Sequence, residues 1–307
     1  MPTIFSALNP SALTRRCVLA LLLLALAGLE SAPAAAQLPS ANPPSVNVIR
    51  VALVGERDAI VPGQESWVGV RFNLDKGWHI YWINPGDSGL PPRVEWRLPA
   101  GFKAGPLQWP HPERLVTKYA VDYGYGDQVL LLAPIRAPAN LAPGGKAEIA
   151  GTVKWVVCRE VCIPGKTEVA LSLPVVKRSA TSQPRAMRTN QAFEEARKRV
   201  PERAPAGWRA RARAEKNEFV LTIETGQPIT EAAFFPLQFF PLQARQIENA
   251  APQAASALPR GVQLRLKKSD LLLKPIANLK GVIVLPSGKA YVIDAPVTGA
   301  STRKKKS

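Results

Sequence analysis

Histidine and cysteine are scarce in this 307-residue chain, with two of the first and three of the second. That scarcity excludes a metal cage built from many Cys and His and a disulfide-dense miniprotein. A Gly-x-Ser-x-Gly elbow is missing, and with two His a Ser-His-Asp hydrolase has little to rest on. Amphipathic helices are few, and the one long apolar run, residues 18–29 (VLALLLLALAGL), falls short of the ~18 to 20 residues needed to span a bilayer. Charged residues at 21% and aromatics at 7% are near globular averages, so a disordered polyelectrolyte does not fit. What is plentiful is apolar material (46%) and turn formers (30 Pro, 21 Gly), enough for the cores of one large or two medium domains.

The apolar run follows Arg15-Arg16 and precedes small residues ending in Ala34-Ala35-Ala36, the order of a secretory signal peptide occupying residues 1–36. Cleavage after Ala36 predicts an exported, periplasmic product and removes Cys17. Cys158 and Cys162 are then the remaining thiols, in a compartment where disulfides persist.

The formal net charge is +17, and its placement decides its meaning. Residues 37–307 carry an excess of sixteen positive charges, of which twelve fall in residues 177–213 and 303–307. A nucleic-acid-binding domain more often gathers basic residues on a folded face among stacking aromatics. No nucleic-acid partner is therefore expected. The basic stretch and the Arg303-Lys304-Lys305-Lys306 end could instead meet anionic lipid headgroups, at ~1 kcal/mol per cation, or simply keep the protein soluble.

Residues 46–54 (VNVIRVALV) alternate and are rich in β-branched side chains, and a Pro62-Gly63 turn leads into Trp67 to Phe72. Further strand-like runs at 94–98, 128–135, 147–157 and 167–176 are separated by Pro and Gly clusters. Residues 185–200 instead place Met187, Ala192, Phe193, Ala196 and Val200 at helical spacing between Pro184 and Pro201. Short strands then resume at 208–214, 218–224, 232–235, 262–266, 279–285 and 290–297, with 250–259 read as a loop. The prediction is an all-β chain of two immunoglobulin-like antiparallel β-sandwich domains, 45–178 and 206–298, joined by a basic linker with a helix (179–205) and followed by a basic tail (299–307).

The run Trp155-Val156-Val157-Cys158-Arg159-Glu160-Val161-Cys162-Ile163-Pro164-Gly165 sets two thiols at the end of one strand run and the start of the next. As a staple, a closed loop of about five residues would stabilise the fold by only ~2 kcal/mol. Short loops strain the bond and make it exchange readily, which favours redox chemistry. A structural bridge and soft-metal binding, Cu(I) on Cys158 and Cys162, stay open as alternatives. Lys154 and Arg159 would favour a thiolate and Glu160 would oppose it. His79 and His111 are read as hydrogen-bonded structural residues, Trp78, Tyr81 and Trp82 as core, and Asn84-Pro85-Gly86-Asp87 as a turn.

Four motifs in order, Gly77-Trp78-His79-Ile80-Tyr81-Trp82-Ile83-Asn84-Pro85-Gly86-Asp87-Ser88-Gly89-Leu90-Pro91-Pro92, Trp109-Pro110, Tyr123-Gly124-Tyr125-Gly126 and the Cys158/Cys162 run, resemble the amino-terminal periplasmic domain of the DsbD disulfide reductases. The copper-sensitivity-suppressor branch, ScsB, is the nearer in pattern. The resemblance spans roughly residues 45–176 and, more weakly, the second β-domain. It implies a thiol-disulfide oxidoreductase with no cofactor beyond a redox-active Cys158–Cys162 disulfide. Its partners would be a membrane-embedded thiol reductase and periplasmic thioredoxin-like proteins. Cys162 would form the intermolecular mixed disulfide and Cys158 would resolve it. The resemblance also implies an aromatic cap loop over the disulfide, for which residues 118–127 with Tyr119, Tyr123 and Tyr125 are the candidate, opening at Gly124 and Gly126; a tyrosine-rich hairpin packed for stability is the alternative. The sequence ends in TRKKKS where fused family members continue into membrane and thioredoxin domains, so a standalone form is expected.

Overall fold

The computed structural model describes residues 48–177, 190–237 and 245–299. Residues 1–36, read as a signal peptide and including Cys17, the part of the expected linker up to residue 189 and the charged end beyond Gly299 lie outside the described residues. No helix among the described residues is long and apolar enough to cross a membrane.

The first β region holds ten strands: β1 (Ile49–Gly55), β2 (Glu65–Leu74), β3 (His79–Gly86), β4 (Arg93–Arg97), β5 (Lys103–Ala104), β6 (Glu113–Val116), β7 (Val121–Gly126), β8 (Gln128–Arg136), β9 (Lys146–Cys158) and β10 (Cys162–Pro174). They form a four-stranded sheet, β1-β2-β8-β5, and a six-stranded sheet, β10-β9-β3-β7-β6 with β4 also on β9. Alternation puts Val68, Val70 and Phe72 of β2 and Val129, Leu131 and Ile135 of β8 on one inner face. Ile80 and Trp82 of β3 and Ile149, Val153 and Val157 of β9 supply the other, and the two faces share one core. Each such side chain contributes ~1.5 to 3 kcal/mol by leaving water. This is an immunoglobulin-like sandwich.

Strand β8 reads QVLLLAPIR, nearly continuous rather than alternating, because it is covered on both faces. Its outer residues Leu130 and Leu132 receive Phe193 and Ala196 of helix α1 (Gln191–Arg199). The Asn190 side chain caps that helix by accepting from the Ala192 N–H, and Asn190 itself donates to the Glu56 carbonyl. Arg197 pairs with Glu56 at 2.5 Å and lies over the Trp67 ring. The helix is thus docked on the outside of the four-stranded sheet. Part of the basic stretch is neutralised within the chain: Arg197, Arg199, Arg211 and Arg213 pair with Glu56, Glu113, Glu224 and Glu215.

The second β region contains β11 (Glu202–Arg203), β12 (Arg209–Ala214), β13 (Glu218–Glu224), β14 (Ala233–Pro236), β15 (Ala254–Leu258), β16 (Gly261–Lys267), β17 (Asn278–Val284) and β18 (Ala290–Thr298). Its eight strands run β14-β17-β18-β12-β13-β16-β15, with β11 beside β18. Strand β18 pairs antiparallel with β17 as far as Pro296, outruns it, and continues parallel to β12 through Val297 and Thr298. One strand therefore serves two sheets, and Leu221, Val262 and Leu264 from one side meet Leu279, Ile283 and Ile293 from the other in a single core. The parallel pairs of β18 with β11 and β12 depart from the all-antiparallel expectation. Residues 254–258, read as loop, are strand β15 because β16 offers a free edge to them.

The two β regions touch through more than a linker. Phe235 of β14 is buried edge-on against Trp82 at 6.3 Å and Tyr123 at 5.2 Å, so the first core continues into the second region.

Candidate functional site

Strands β9 and β10 pair along thirteen residues each, from Lys146↔Pro174 to Cys158↔Cys162, and Arg159, Glu160 and Val161 close the hairpin. The two cysteines are direct cross-strand partners, 4.2 Å apart at Cα, and are joined as a disulfide. Their surroundings differ. Cys158 is 3% exposed, whereas Cys162 begins the outermost strand of its sheet and is solvent-exposed. Of the two, Cys162 is the residue open to solvent.

The inner sulfur meets a hydroxyl. Strand β3 lies beside β9 with His79 opposite Cys158. Period-two alternation turns Ile80 and Trp82 into the core and leaves His79 and Tyr81 on the other face. Tyr81 donates its hydroxyl to Cys158 Sγ at 2.7 Å, with Cys162 Sγ at 3.5 Å. Ser88 Oγ lies 3.2 Å from the same hydroxyl and sends its own proton to Asp122 Oδ2 at 2.9 Å, while the Ser88 N–H donates to Asp122 Oδ1 at 2.9 Å. Burial pushes the Tyr81 hydroxyl up to about 12, with the Ser88 hydrogen bond opposing and the Asp122 charge adding to the rise. It therefore stays a proton donor across the ordinary pH range. Gly89, at φ +69°, floors the ring: a Cβ there would sit 2.0 Å from Tyr81 Cζ.

His79 is buried with its Nε2 3.7 Å from Asp122 Oδ2 and its ring edge-on to Tyr81 at 5.3 Å. His111 is apart from this cluster, its Nδ1 3.3 Å from the Pro112 carbonyl oxygen. Among the described residues no group of three or more His, Cys, Asp or Glu could hold a metal ion. Lys154, expected to act on the thiolate, pairs with Glu95 at 2.5 Å, and Arg159 stacks over Trp78 at 5.2 Å.

The three tyrosines read as a cover separate. Tyr123 and Tyr125 belong to β7, at 0% and 1% exposure, and donate their hydroxyls to Asn249 Oδ1 and the Pro110 carbonyl. Burial raises both hydroxyls' pKa. They are buried in the core, because β7 lies between β3 and β6 and faces the second region. At Gly124 a Cβ would come 2.1 Å from the Ile80 carbonyl oxygen, so the glycine lets β3 and β7 close up. Tyr119, at the turn between β6 and β7, is 86% exposed, with Lys118 over its ring. Asn84-Pro85-Gly86, read as a turn, ends β3 at a register irregularity, and Asp87 follows it.

Sequence reasoning missed Tyr81, Ser88 and Asp122 as site residues. The available signal was His79 and Tyr81, two polar-tipped side chains on one face of a strand whose other face is apolar.

Residues 50–174 match the sequence model of the family described as thiol:disulfide interchange protein DsbD, N-terminal. No curated protein matches the chain. Among solved structures, the N-terminal periplasmic domain of ScsB from Proteus mirabilis is similar at a TM-score of 0.57 and 14% identity, covering 83% of this chain and 95% of that one. At that identity the likeness is one of fold, and its extent takes in both β regions. A protein of unknown function from Porphyromonas gingivalis W83 (TM-score 0.25, 12% identity, 81% and 99% covered) and the major pilin subunit BcpA of Bacillus cereus (0.27, 9%, 81% and 66%) align too loosely to bear on function.

Proposed function

We propose, from the premise that residues 50–174 form a DsbD-type amino-terminal domain, that this chain is an exported thiol:disulfide interchange protein working through Cys158 and Cys162. In this reading residues 1–36 are a cleaved signal peptide. Electrons arrive from a membrane-embedded thiol reductase and leave to thioredoxin-like proteins of the periplasm.

The carrying observation is the asymmetry of the disulfide, with Cys162 exposed and Cys158 buried under the Tyr81 hydroxyl. A reductant's thiolate attacks Cys162 Sγ; a new S–S bond forms there, the Cys158–Cys162 bond breaks, and its electron pair leaves on Cys158 Sγ. Tyr81 donates to that sulfur as negative charge collects on it, which makes Cys158 a better leaving group. A second thiolate of the reductant then displaces Cys162, and the dithiol is complete once protons are taken up. Run in reverse on a partner's disulfide, Cys162 attacks and Cys158 resolves.

Replacing Cys158 by alanine removes the resolving thiol. Cys158→Ala protein, incubated with envelope extract, is expected to accumulate mixed disulfides through Cys162, seen as dithiothreitol-sensitive adducts on non-reducing gels. Cys162→Ala should give almost none. Absence of adducts from Cys158→Ala, together with tight Cu(I) binding that is lost on Cys→Ser changes, would move the reading to copper handling.

A further inference from the structure

The loop that follows β3 is held from the second β region. Asp87 Oδ1 receives the Arg245 guanidinium at 2.6 Å and the Asn249 side-chain amide at 2.8 Å, and Arg245 also donates to the Gly86 carbonyl at 3.2 Å. The other carboxylate oxygen, Oδ2, takes the Val121 N–H at 2.7 Å. Asn249 is tied in turn: its Oδ1 accepts from Tyr123 and its carbonyl from Arg114 at 2.7 Å. Nearby, the Asn84 amide donates to the Pro236 carbonyl at 2.6 Å. Arg245 and Asp87 are 16% and 19% exposed at their side chains, so water competes weakly for this contact.

Directly after Asp87 come Ser88, which faces the Tyr81 hydroxyl and holds Asp122, and Gly89, against which the Tyr81 ring lies. Asp122 itself adjoins Val121, whose N–H is bound by Asp87. From Arg245 to the Cys158 sulfur the path is therefore Arg245, Asp87, Ser88, Tyr81: an ion pair, a peptide neighbour, the 3.2 Å contact of the two hydroxyls beside the Gly89 floor, and the hydrogen bond to sulfur. We propose that Arg245, through Asp87, is a positioning residue for the exchange reaction: the second β region clamps the 86–89 loop and thereby holds the Tyr81 hydroxyl on the leaving sulfur.

This inference rests on the exchange function proposed above, and the test separates the two. Reduction of the disulfide in the full chain by dithiothreitol is timed for wild type, Arg245→Ala, Arg245→Lys, Tyr81→Phe and the Arg245→Ala/Tyr81→Phe double variant, with thermal melts alongside. Arg245→Ala is expected to slow reduction roughly three- to tenfold, the size of weakening one hydrogen bond to a group gaining charge, with Arg245→Lys in between. In the Tyr81→Phe background the same change should cost no further rate, since its route to sulfur is gone. Arg211→Ala, which loses only an exposed pair with Glu224, should match wild type.

An unchanged rate in Arg245→Ala, or an equal slowing with and without Tyr81, would overturn the clamp. If Arg245→Ala gives no cooperative melt, Arg245→Lys carries the same comparison against Tyr81→Phe. A wild-type disulfide inert to dithiothreitol would instead sink the exchange function itself.

Discussion

The two β regions are built of the same element and differ in what their cores face. In the first, two separate sheets enclose one core, and its outermost hairpin carries the cystine at its tip. In the second, β18 joins both halves of an eight-stranded array, which contributes no cysteine and instead lays Phe235, Arg245 and Asn249 against the strands beneath the site. The difference teaches that reacting atoms and the groups that aim them need not share a sandwich.

The strongest blow to this division of labour is Phe235→Ala. Phe235 is 6% exposed and belongs to the second region's contribution to the first core, so its truncation should cost about 3 to 5 kcal/mol in denaturant unfolding and slow disulfide reduction as well. Wild-type reduction in a protein so destabilised would show the first region to be self-sufficient.

Tyr81→Phe removes one hydroxyl and is expected to cost about 1 to 2 kcal/mol of stability while slowing reduction more than Arg245→Ala does. Its pH signature is distinct. The folded-state value of Tyr81, about 12, lies above that of the free side chain, so the folded protein holds this proton more tightly than the unfolded chain. The corresponding stability is complete below pH ~10 and is lost as pH climbs through ~12. Tyr81→Phe should lack that part of the alkaline decline, as melts from pH 9 to 12 would reveal.

The smallest expected effect is that of Asn190→Ala, which removes the helix cap for about 1 kcal/mol. Because α1 packs on the four-stranded sheet and the cystine belongs to the six-stranded one, the reduction rate should stay at the wild-type value. A slower rate would mean that the aiming is not confined to the second region.

Much of this architecture was legible from residue order. Alternation in 46–54 and 147–157 and the β-branched runs of the second region mark strands, and Phe193 and Ala196 mark the docked face of α1. Strand β3 was harder, because seven of its eight residues are buried and its alternation sets apolar side chains against polar-tipped aromatics rather than against charged, solvent-facing ones. Strand β15, AASAL, lacks the β-branched and aromatic residues that mark strands and is set by its pairing with β16. The cysteines are visible as a local pattern, but Tyr81 reaches Cys158 across seventy-seven positions and Arg245 reaches Asp87 across 158. Contacts of that span are products of topology, and no local spacing announces them.

With one cysteine exposed and its mate buried beneath a phenol, the cystine has a front and a back. A small electrophile, or glutathione disulfide reacting with release of one glutathione thiol, should mark Cys162 of the reduced protein first, and a mixed disulfide formed there sits next to a thiol able to expel it. Such a cap is resolved from within: the Cys158 thiolate displaces it from Cys162, the cap leaves as a thiol, and the Cys158–Cys162 disulfide re-forms, to be returned to the dithiol by the usual reductant.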